Sequence, residues 1–261
     1  MQISELWIYP VKSLGGVLLK EAAVLPKGLQ YDRRWMLVDA NGRFLTQREW
    51  PQLALLAVKA AHNGFVVSFD NKEIELPHSS QGTNLNATIW NDEVRVLQVS
   101  EAHNRWFSEA LDTVCSLVFF PEDNDRAVDP DYGRAGDQTS LSDGYPVLLI
   151  GQSSLNDLNS RLAESVPINR FRPNMIISGS MPYEEDEWRN FTIGNLAFEG
   201  VKPCARCVMT TIDQQTGVLG KEPLATLSRY RKVGNKVLFG QNVIPRQSGT
   251  VRVGDLVSVV P

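Results

Sequence analysis

Three strand–turn–strand patterns in the first hundred residues constrain the fold of this chain most strongly. In the first, apolar residues within 35–45 flank Asn41-Gly42, which supplies the positive-φ residues that a tight hairpin turn needs. In the second, apolar residues alternate along 65–76 on either side of a short polar turn, and the third runs through a polar turn along 87–97. Short strands at this regular spacing predict a small β-barrel or sandwich.

The rest of the chain mixes strands with a few helices. A helix is expected over 101–111, because the Ser100 hydroxyl can accept a hydrogen bond from a free backbone N–H of the first turn. The apolar run 115–120 is typical of a buried strand. Further strands are expected near 147–150, 174–178, 191–198, 207–212 and 251–260, and a second helix is expected at a capping box formed by Ser154 and Asp157.

A long polar loop divides the chain. Residues 121–142 are rich in Asp, Gly, Arg and Ser and poor in large apolar side chains, and loops of this length in a compact protein are often functional. We place a domain boundary at its start, which gives one domain at residues 1–120 and another at residues 121–261. The predicted fold class is β-rich α+β, with an N-terminal β-barrel-like domain followed by a second β-barrel domain that has a few helices.

The composition excludes several classes of protein. Of the 261 residues, 43% are hydrophobic and 21% are charged, and the formal net charge is −4, so there is material for a core and no electrostatic footprint for nucleic acid. The N-terminus has no basic region followed by an apolar run, and no segment approaches the roughly 20 apolar residues that span a bilayer. We therefore expect a cytoplasmic protein that binds neither nucleic acid nor membranes.

The C-x₂-C motif at residues 204–207 is the sharpest chemical feature. A zinc knuckle needs two more ligands, and neither Cys115 nor the three histidines show a matching pair. A thioredoxin-like motif would begin a helix beside a βαβ pattern, whereas a β-branched run follows here. Both thiols can also be buried apolar groups. Alternatively, the neighbouring cations Lys202 and Arg206 favour the thiolate of Cys207, which would then be a soft ligand to one metal ion.

An ordered series of motifs resembles the MOSC-domain proteins, in the branch that contains the mitochondrial amidoxime-reducing component and the bacterial YcbX-type proteins. The motifs are Tyr9-Pro10-Val11-Lys12-Ser13, Asp32-Arg33-Arg34-Trp35, Thr46-Gln47-Arg48, Ser142-Asp143-Gly144-Tyr145-Pro146, Phe171-Arg172-Pro173-Asn174, 204–213, 216–217, 221–224, Phe239-Gly240-Gln241 and 249–255. They cover essentially the whole chain. The resemblance implies a MOSC N-terminal β-barrel domain followed by a MOSC domain.

The resemblance also implies a site for a molybdenum–pterin cofactor, molybdopterin. Cys207 corresponds to the family's molybdenum ligand, so it is the expected catalytic residue and metal ligand. The expected cofactor contacts are Lys12, Ser13, Arg33, Asp143, Arg172 and Asn174. Lys and Arg form charge-assisted hydrogen bonds with phosphate oxygens, and Asn offers a donor and an acceptor to a pterin edge. Pyridoxal phosphate binding is a further expectation at the level of the family.

Several of these residues also have ordinary structural interpretations. Arg33 and Arg34 cannot both easily point into a core, so one of them is expected in solvent, and the resemblance assigns the site to Arg33. Gln47 and Arg48 fit an exposed strand end, and Trp188 is expected to pack in the core. Asp143 can either accept from a pterin N–H or orient a basic residue.

The resemblance implies an oxidoreductase that reduces N-hydroxylated or N-oxide compounds. Gly144 and Tyr145 follow the aspartate as in YcbX-type proteins, many of which continue into a ferredoxin domain whose [2Fe–2S] cluster needs four thiolates. This sequence has no such cysteines, so we expect neither that domain nor an iron–sulfur cluster, and a separate ferredoxin- or flavin-reductase-type protein as the electron donor. Two alternatives stay open: a cofactor-handling protein that transfers sulfur through a cysteine persulfide, and a non-catalytic binding module.

Overall fold

The computed structural model describes residues 1–259, within which the chain forms 19 strands and three α-helices. The strands are β1 (Gln2–Ile8), β2 (Val17–Leu19), β3 (Glu21–Leu25), β4 (Gly28–Leu29), β5 (Trp35–Val38), β6 (Ala57–Ala61), β7 (Gly64–Phe69), β8 (Lys72–Pro77), β9 (Asn84–Ile89), β10 (Asp92–Gln98), β11 (Ser116–Phe119), β12 (Val147–Gly151), β13 (Met175–Ser178), β14 (Asn190–Ile193), β15 (Leu196–Arg206), β16 (Lys232–Val233), β17 (Lys236–Pro245), β18 (Gly249–Arg252) and β19 (Val257–Val259). The helices are α1 (Glu101–Leu111), α2 (Gln152–Ser160) and α3 (Leu224–Tyr230), with 3₁₀ helices at Pro51–Leu55, Ile168–Arg170, Glu184–Glu187 and Val208–Thr211. None of the helices in this described part is long and apolar enough to cross a lipid bilayer. The protein is β-rich α+β, as the sequence predicts.

One large sheet contains strands from both ends of the chain. Its order is β19-β14-β15-β17-β12-β13-β1-β2, and β16 pairs with β17 beside it. Strand β1 pairs antiparallel with β13, where Leu6 lies opposite Met175. A bulge between Ile3 and Glu5 shifts the alternation of β1, so that Ile3, Leu6 and Ile8 all turn into the core.

Three smaller sheets complete the fold, with the orders β5-β11-β10-β9, β18-β3-β4 and β6-β7-β8. The pair β18–β3, like β1–β13, joins a strand of the first 120 residues to one of the last 141. The hydrogen-bonded sheets therefore do not separate at residue 120. The predicted division into 1–120 and 121–261 stays a prediction, and residues 260–261 lie outside the described residues.

The main apolar core is shared by both halves of the chain. It joins Leu6 and Trp35 to Leu149, and the side chains of all three are fully buried. Trp188 is 2% exposed and packs on Phe191, which confirms the prediction that it is a core residue. Removing this apolar surface from water is the dominant favourable contribution to folding, so the two halves stabilise each other.

The three predicted hairpins are confirmed, with the return segment of the first reduced to a short bridge. Gly42 has a φ of +77°, and Asp70 and Asn71, which join β7 to β8, have φ of +48° and +61°. Helix α1 has its predicted bounds, and the Ser100 hydroxyl accepts from the His103 backbone N–H at 3.3 Å.

The strand predicted over 207–212 is wrong. A 3₁₀ helix, Val208–Thr211, takes its place. The hydroxyls of Thr210 and Thr211 each donate to the carbonyl three residues earlier, at 3.0 and 2.8 Å. These local hydrogen bonds offer the backbone an alternative to a sheet, despite the β-branched side chains.

The capping box predicted at Ser154 and Asp157 is also wrong. Helix α2 begins at Gln152, two residues earlier, so Ser154 lies inside the first turn. There its buried hydroxyl donates to Glu185 at 2.8 Å. The hydroxyl therefore ties α2 to the neighbouring 3₁₀ helix instead of capping its own helix.

Two of the predicted strands are divided by turns. The segment 191–198 is a hairpin of β14 and β15 that turns at Gly194, where φ is +54°. The segment 251–260 contains the end of β18 and all of β19, and Val260 lies outside the described residues.

The polar loop predicted over 121–142 is held by one buried arginine. Arg126 is 6% exposed and donates to the carbonyls of Ser140 and Ser142 at 2.8 and 2.6 Å. It also donates to the Asp92 carboxylate at 2.8 Å, at the start of β10. These bonds fix the end of the loop against the β9–β10 hairpin.

Candidate functional site

A cavity lined by both halves of the chain brings all seven predicted site residues together. It has a volume of about 320 Å³, and its wall includes Lys12, Ser13, Arg33, Asp143, Arg172, Asn174 and Cys207. Residues far apart in sequence meet here because β1 lies beside β13 in the large sheet.

Cys207 lies just after β15, where the backbone turns into the 3₁₀ helix Val208–Thr211. Its carbonyl accepts from the backbone N–H of Thr210 at 3.1 Å and from the hydroxyl at 3.0 Å, which fixes the turn. The half-buried side chain lines the cavity, and the Arg48 guanidinium donates to its sulfur at 3.2 Å. The thiol is therefore presented to the cavity beside a cation.

Cys204 also lines the cavity, and Arg206 donates to its sulfur at 2.8 Å. Among residues 1–259, no three His, Cys, Asp or Glu side chains are grouped so that they could hold a metal ion. The described residues therefore do not supply the four ligands of a zinc knuckle. Metal ligation through one or both cavity thiols is compatible with this geometry.

Lys12 is buried in the cavity wall and pairs with Asp143. Its ammonium donates to Asp143 Oδ1 at 2.5 Å and to the Leu141 carbonyl at 3.0 Å. Burial lowers the pKa of Lys12 to about 8, against the opposing attraction of Asp143. The side chain of Asp143 is 58% exposed, and the attraction of Lys12 holds its pKa below the usual range. In this arrangement Asp143 orients a basic residue, one of the two roles expected for it.

Arg33 is held by three acceptors: the Asp32 carboxylate at 2.6 Å, Asn174 Oδ1 at 3.2 Å and the Arg172 carbonyl at 2.9 Å. The Asn174 amide also donates to the Trp7 carbonyl at 3.1 Å and is 1% exposed. Asn174 therefore orients Arg33 and ties β1 to the start of β13. Its contact with a pterin edge stays a prediction.

Neither arginine of the 33–34 pair is in solvent, so the expectation that one would be solvated is wrong. Arg34 is 3% exposed, donates to the Phe120 carbonyl at 3.2 Å and pairs with Glu122 at 2.8 Å. Arg33 has Asp32 as its carboxylate partner. Both cations are tolerated in the interior because each has its own counter-charge and carbonyl acceptors.

Arg172 and Arg33 share one aromatic ring. Their guanidinium groups lie over Tyr9, 4.2 and 4.3 Å from the ring centroid, and Arg172 also donates to the Leu14 carbonyl at 2.7 Å. Burial, followed by repulsion from Arg33, lowers the pKa of Arg172 to about 10, while burial raises the pKa of Tyr9 to about 12. The neutral ring thus stabilises two buried cations through its π face.

Known families match both halves of the chain. The model of the MOSC N-terminal β-barrel domain matches residues 1–114, and the model of the MOSC domain matches residues 136–258. Mitochondrial amidoxime-reducing component 1 from Homo sapiens is 35% identical over 273 residues, which are 97% of this chain and 81% of that protein. The chain belongs to the MOSC family.

Two further relatives show the breadth of the similarity. Mitochondrial amidoxime reducing component 2 from Bos taurus is 31% identical over 97% of this chain and 81% of that protein. Molybdenum cofactor sulfurase from Oryza sativa subsp. japonica is 33% identical over 92% of this chain, which corresponds to 32% of that protein. These relatives confirm the family predicted from the motifs, and they connect this MOSC protein with the chemistry of the molybdenum cofactor.

The cavity of this MOSC protein contains more cations than the sequence analysis assigns to it. Arg48, Arg170, Lys202 and Arg206 also line the wall, together with Tyr145. The expectation of an exposed strand end at Gln47 and Arg48 is wrong. Gln47 is fully buried and donates to the Ser13 carbonyl at 2.6 Å. That anchor turns Arg48 toward Cys207. The motif Thr46-Gln47-Arg48 was the available signal, since it belongs to the same ordered series as the assigned residues.

Three of the predicted contact residues have a left-handed backbone. φ is +71° at Ser13, +49° at Arg33 and +55° at Arg172, a conformation that few residues other than glycine adopt. Such strain persists only where the surrounding structure enforces it, and it clusters at functional sites. The backbone of this MOSC protein is therefore strained at three positions of the cationic cavity wall.

The donor set of the cavity fits a large anion that carries a soft metal. Seven cationic side chains and one carboxylate, Asp143, line the wall, although the whole chain has a net charge of −4. Asp32 and Asp213 each pair with one of these cations at 2.6 Å, and an excess of positive charge remains. The Cys207 thiol adds a soft ligand to this cationic wall. A pterin that bears phosphate and molybdenum fits these residues.

Proposed function

We propose that this MOSC protein is an oxidoreductase that binds a molybdenum–pterin cofactor and reduces N-hydroxylated or N-oxide compounds. The observation that carries the proposal is the cationic cavity with the Cys207 thiol on its wall. The relatives named amidoxime-reducing components support the reaction class.

Cys207 is proposed as the molybdenum ligand and catalytic residue. Lys12, Ser13, Arg33 and Arg172 would bind the phosphate, and Asn174 and Asp143 would face the pterin edge. When bound, the cofactor supplies the change of oxidation state that the removal of oxygen from nitrogen requires. The chain itself binds and orients, through cations that the fold holds in place before any ligand arrives.

Anion binding in this cavity is proposed to be coupled to proton uptake. Burial lowers the pKa of Lys12 to about 8 and that of Arg172 to about 10, because the charged forms lose hydration. A bound anion stabilises the charged forms and raises both pKa values again. We therefore expect the cofactor to bind more weakly as the pH rises through about 8, where the free protein begins to lose the Lys12 proton.

Molybdenum content measured by mass spectrometry tests the proposal directly. The wild type, Cys207→Ala and Cys204→Ala are expressed in a host that makes the molybdenum cofactor, with Cys204→Ala, near the end of β15, as the matched control. We expect near-stoichiometric molybdenum in the wild type, loss in Cys207→Ala and a substantial part retained in Cys204→Ala. Equal loss in both variants contradicts ligation by a single thiol.

The second candidate function is sulfur transfer to the cofactor through a cysteine persulfide. Two observations favour it: Arg206 donates to the Cys204 sulfur at 2.8 Å, so a second thiol in the cavity has its own donor, and a molybdenum cofactor sulfurase is among the relatives. A wild-type protein that lacks molybdenum but carries an extra sulfur on Cys204 or Cys207 supports this function over the reductase.

Electrons are proposed to come from a separate ferredoxin- or flavin-reductase-type protein, and the cytoplasm is the proposed compartment. Pyridoxal phosphate binding stays a prediction. Screening donor reductases with N-hydroxylated substrates becomes informative once molybdenum is found in the wild type.

A further inference from the structure

Arg48 contacts the sulfur that the proposed function assigns to the metal. Its Nη2 donates to Cys207 Sγ at 3.2 Å and lies 3.7 Å from Asp143 Oδ2. Its Nη1 reaches the Thr46 hydroxyl at 3.4 Å. The guanidinium thus stands between a thiol and a carboxylate on the cavity wall.

The indole of Trp90 packs against this guanidinium. The Arg48 guanidinium carbon lies 4.5 Å from the Trp90 ring centroid, and the indole N–H donates to Asp143 Oδ1 at 3.3 Å. The indole also packs against Phe44, with 4.9 Å between the ring centroids and an angle of 63° between the rings. Trp90 therefore contacts Arg48 through the face of its ring and Asp143 through its indole N–H.

The backbone at Trp90 is strained in a way that supports this arrangement. Its φ is +56°, in the turn between β9 and β10. A bulky side chain in the left-handed region is an outlier, and a hairpin turn gives no preference for tryptophan there. A two-residue hairpin turn favours a positive φ at this position. The side chain is 40% exposed, and from this turn it contacts Arg48 and Asp143.

The Arg48 segment is anchored from the opposite side. The turn at 46–50 closes with hydrogen bonds from the backbone N–H groups of Glu49 and Trp50 to the Thr46 carbonyl at 3.0 and 2.9 Å. Gln47 within it is bonded to the Ser13 carbonyl. The turn therefore fixes the backbone of Arg48, and Trp90 packs against the face of its guanidinium.

We propose that Arg48 is a positioning residue for Cys207, and that Trp90 holds its guanidinium at the sulfur. This inference rests on the proposed function for the role of Cys207 as the metal ligand. The contact between Arg48 and Cys207 itself is formed by side chains of this protein alone. Arg48 orients the thiol toward the cavity and presents a positive charge beside it, so that the sulfur meets an anionic cofactor in one fixed geometry.

The contact can be measured on metal-free protein by the charge selectivity of alkylation. Iodoacetate and iodoacetamide react with the same thiolate, so the ratio of their rates cancels any change in its ionisation and reports the local charge. Peptide mass spectrometry separates Cys207 from Cys204, which is the internal control. At low ionic strength, Arg48→Met is expected to lower the Cys207 ratio about fivefold, the effect of one unit charge some 4 Å away in a water-like medium.

Matched variants separate positioning from a general change in the cavity. Arg48→Lys keeps the charge and is expected to restore most of the Cys207 ratio. Trp90→Phe keeps an aromatic face and is expected to resemble the wild type, whereas Trp90→Ala is expected to lower the ratio. Arg105→Met removes an exposed arginine of α1 and is expected to change nothing.

The Cys204 ratio provides the reciprocal control. Arg206→Met is expected to lower the Cys204 ratio more than the Cys207 ratio, because Arg206 contacts the Cys204 sulfur. An Arg48→Met protein with a wild-type Cys207 ratio, or with equal changes at both cysteines, overturns the proposal.

Molybdenum content provides the second readout. In a competent host, Arg48→Met is expected to retain several-fold less molybdenum than the wild type, with Arg48→Lys in between. Equal molybdenum in Arg48→Met and the wild type overturns the positioning role. If the wild type itself lacks molybdenum, the proposed function fails, and the alkylation ratios alone decide whether Arg48 positions Cys207.

Discussion

Replacing Lys12 with methionine is expected to stabilise the fold of the ligand-free protein while weakening anion binding in the cavity. Burial lowers the pKa of Lys12 from 10.5 to about 8, net of the attraction of Asp143. At about 1.4 kcal/mol per pKa unit, the charged form costs the fold about 3 kcal/mol at pH 7. Methionine leaves the Leu141 carbonyl without its donor, at a cost of about 1 kcal/mol. The free energy of unfolding is therefore expected to rise by about 2 kcal/mol.

The pH dependence has a definite sign. The unfolded chain holds the Lys12 proton up to a pKa near 10.5, whereas the folded chain releases it near 8. Between these values the unfolded state binds more protons, so the stability of the wild type rises with pH as the penalty disappears. The penalty is fully present below about pH 8 and absent above about pH 10.5. The advantage of Lys12→Met should be largest at pH 7 and shrink toward pH 10.

Urea unfolding of metal-free protein at pH 7 and pH 10 measures both the size and the sign. Lys59→Met, at an exposed position of β6, is the control for a general effect of losing a lysine. Molybdenum content of Lys12→Met from a competent host reports the loss of binding. A variant less stable than the wild type at pH 7, or an advantage that does not change between the two pH values, refutes the reasoning.

Two other substitutions test the framework around the cavity by urea unfolding at neutral pH. Asp32→Asn removes the carboxylate that pairs with Arg33 at 2.6 Å and accepts from the Tyr9 N–H at 2.8 Å, so a loss of about 2–4 kcal/mol is expected. A loss no larger than that of an Asp131→Asn control, at an exposed position, contradicts this expectation. Ser154→Ala removes a buried hydroxyl that donates to Glu185 at 2.8 Å and accepts from the Tyr183 N–H at 2.7 Å, so a loss of about 1–3 kcal/mol is expected. An unchanged free energy of unfolding would show that the two hydrogen bonds make no net contribution.

Local signals predicted the elements whose stability is local. The hairpin turn at Asp70 and Asn71 and the cap at Ser100 depend on neighbours within a few residues, and both are where the sequence places them. The strand predicted at 207–212 failed because threonine hydroxyls bonded to nearby carbonyls, a competition that β-propensity does not include. The pairing of β1 with β13 depends on the whole fold, and periodicity carries no information about it.

The candidate site was predicted by motif order rather than by residue chemistry. Without the resemblance, Lys12 and Arg172 would be expected at the surface, as most lysines and arginines are. They line one cavity only because distant strands of the chain pair with each other. Arg48 and Trp90 were not assigned to the site because their proposed roles depend on contacts with distant segments, above all with the sulfur of Cys207 and the carboxylate of Asp143. No spacing rule encodes such contacts.

Several unfavourable features of this protein meet at the cavity, and that coincidence argues for a ligand. Lys12 and Arg172 are buried cations with lowered pKa values, and Ser13, Arg33 and Arg172 have strained backbones. Each feature costs stability in the ligand-free fold, and a bound anion offsets the charge penalty of the two cations directly. A ligand that binds only the folded state adds its own stabilisation, about 2.7 kcal/mol at a hundredfold excess over its Kd. The metal-free protein should therefore unfold at distinctly lower urea than the loaded protein, and this difference should be smaller in Lys12→Met, in which one charge penalty and one anion contact are both removed.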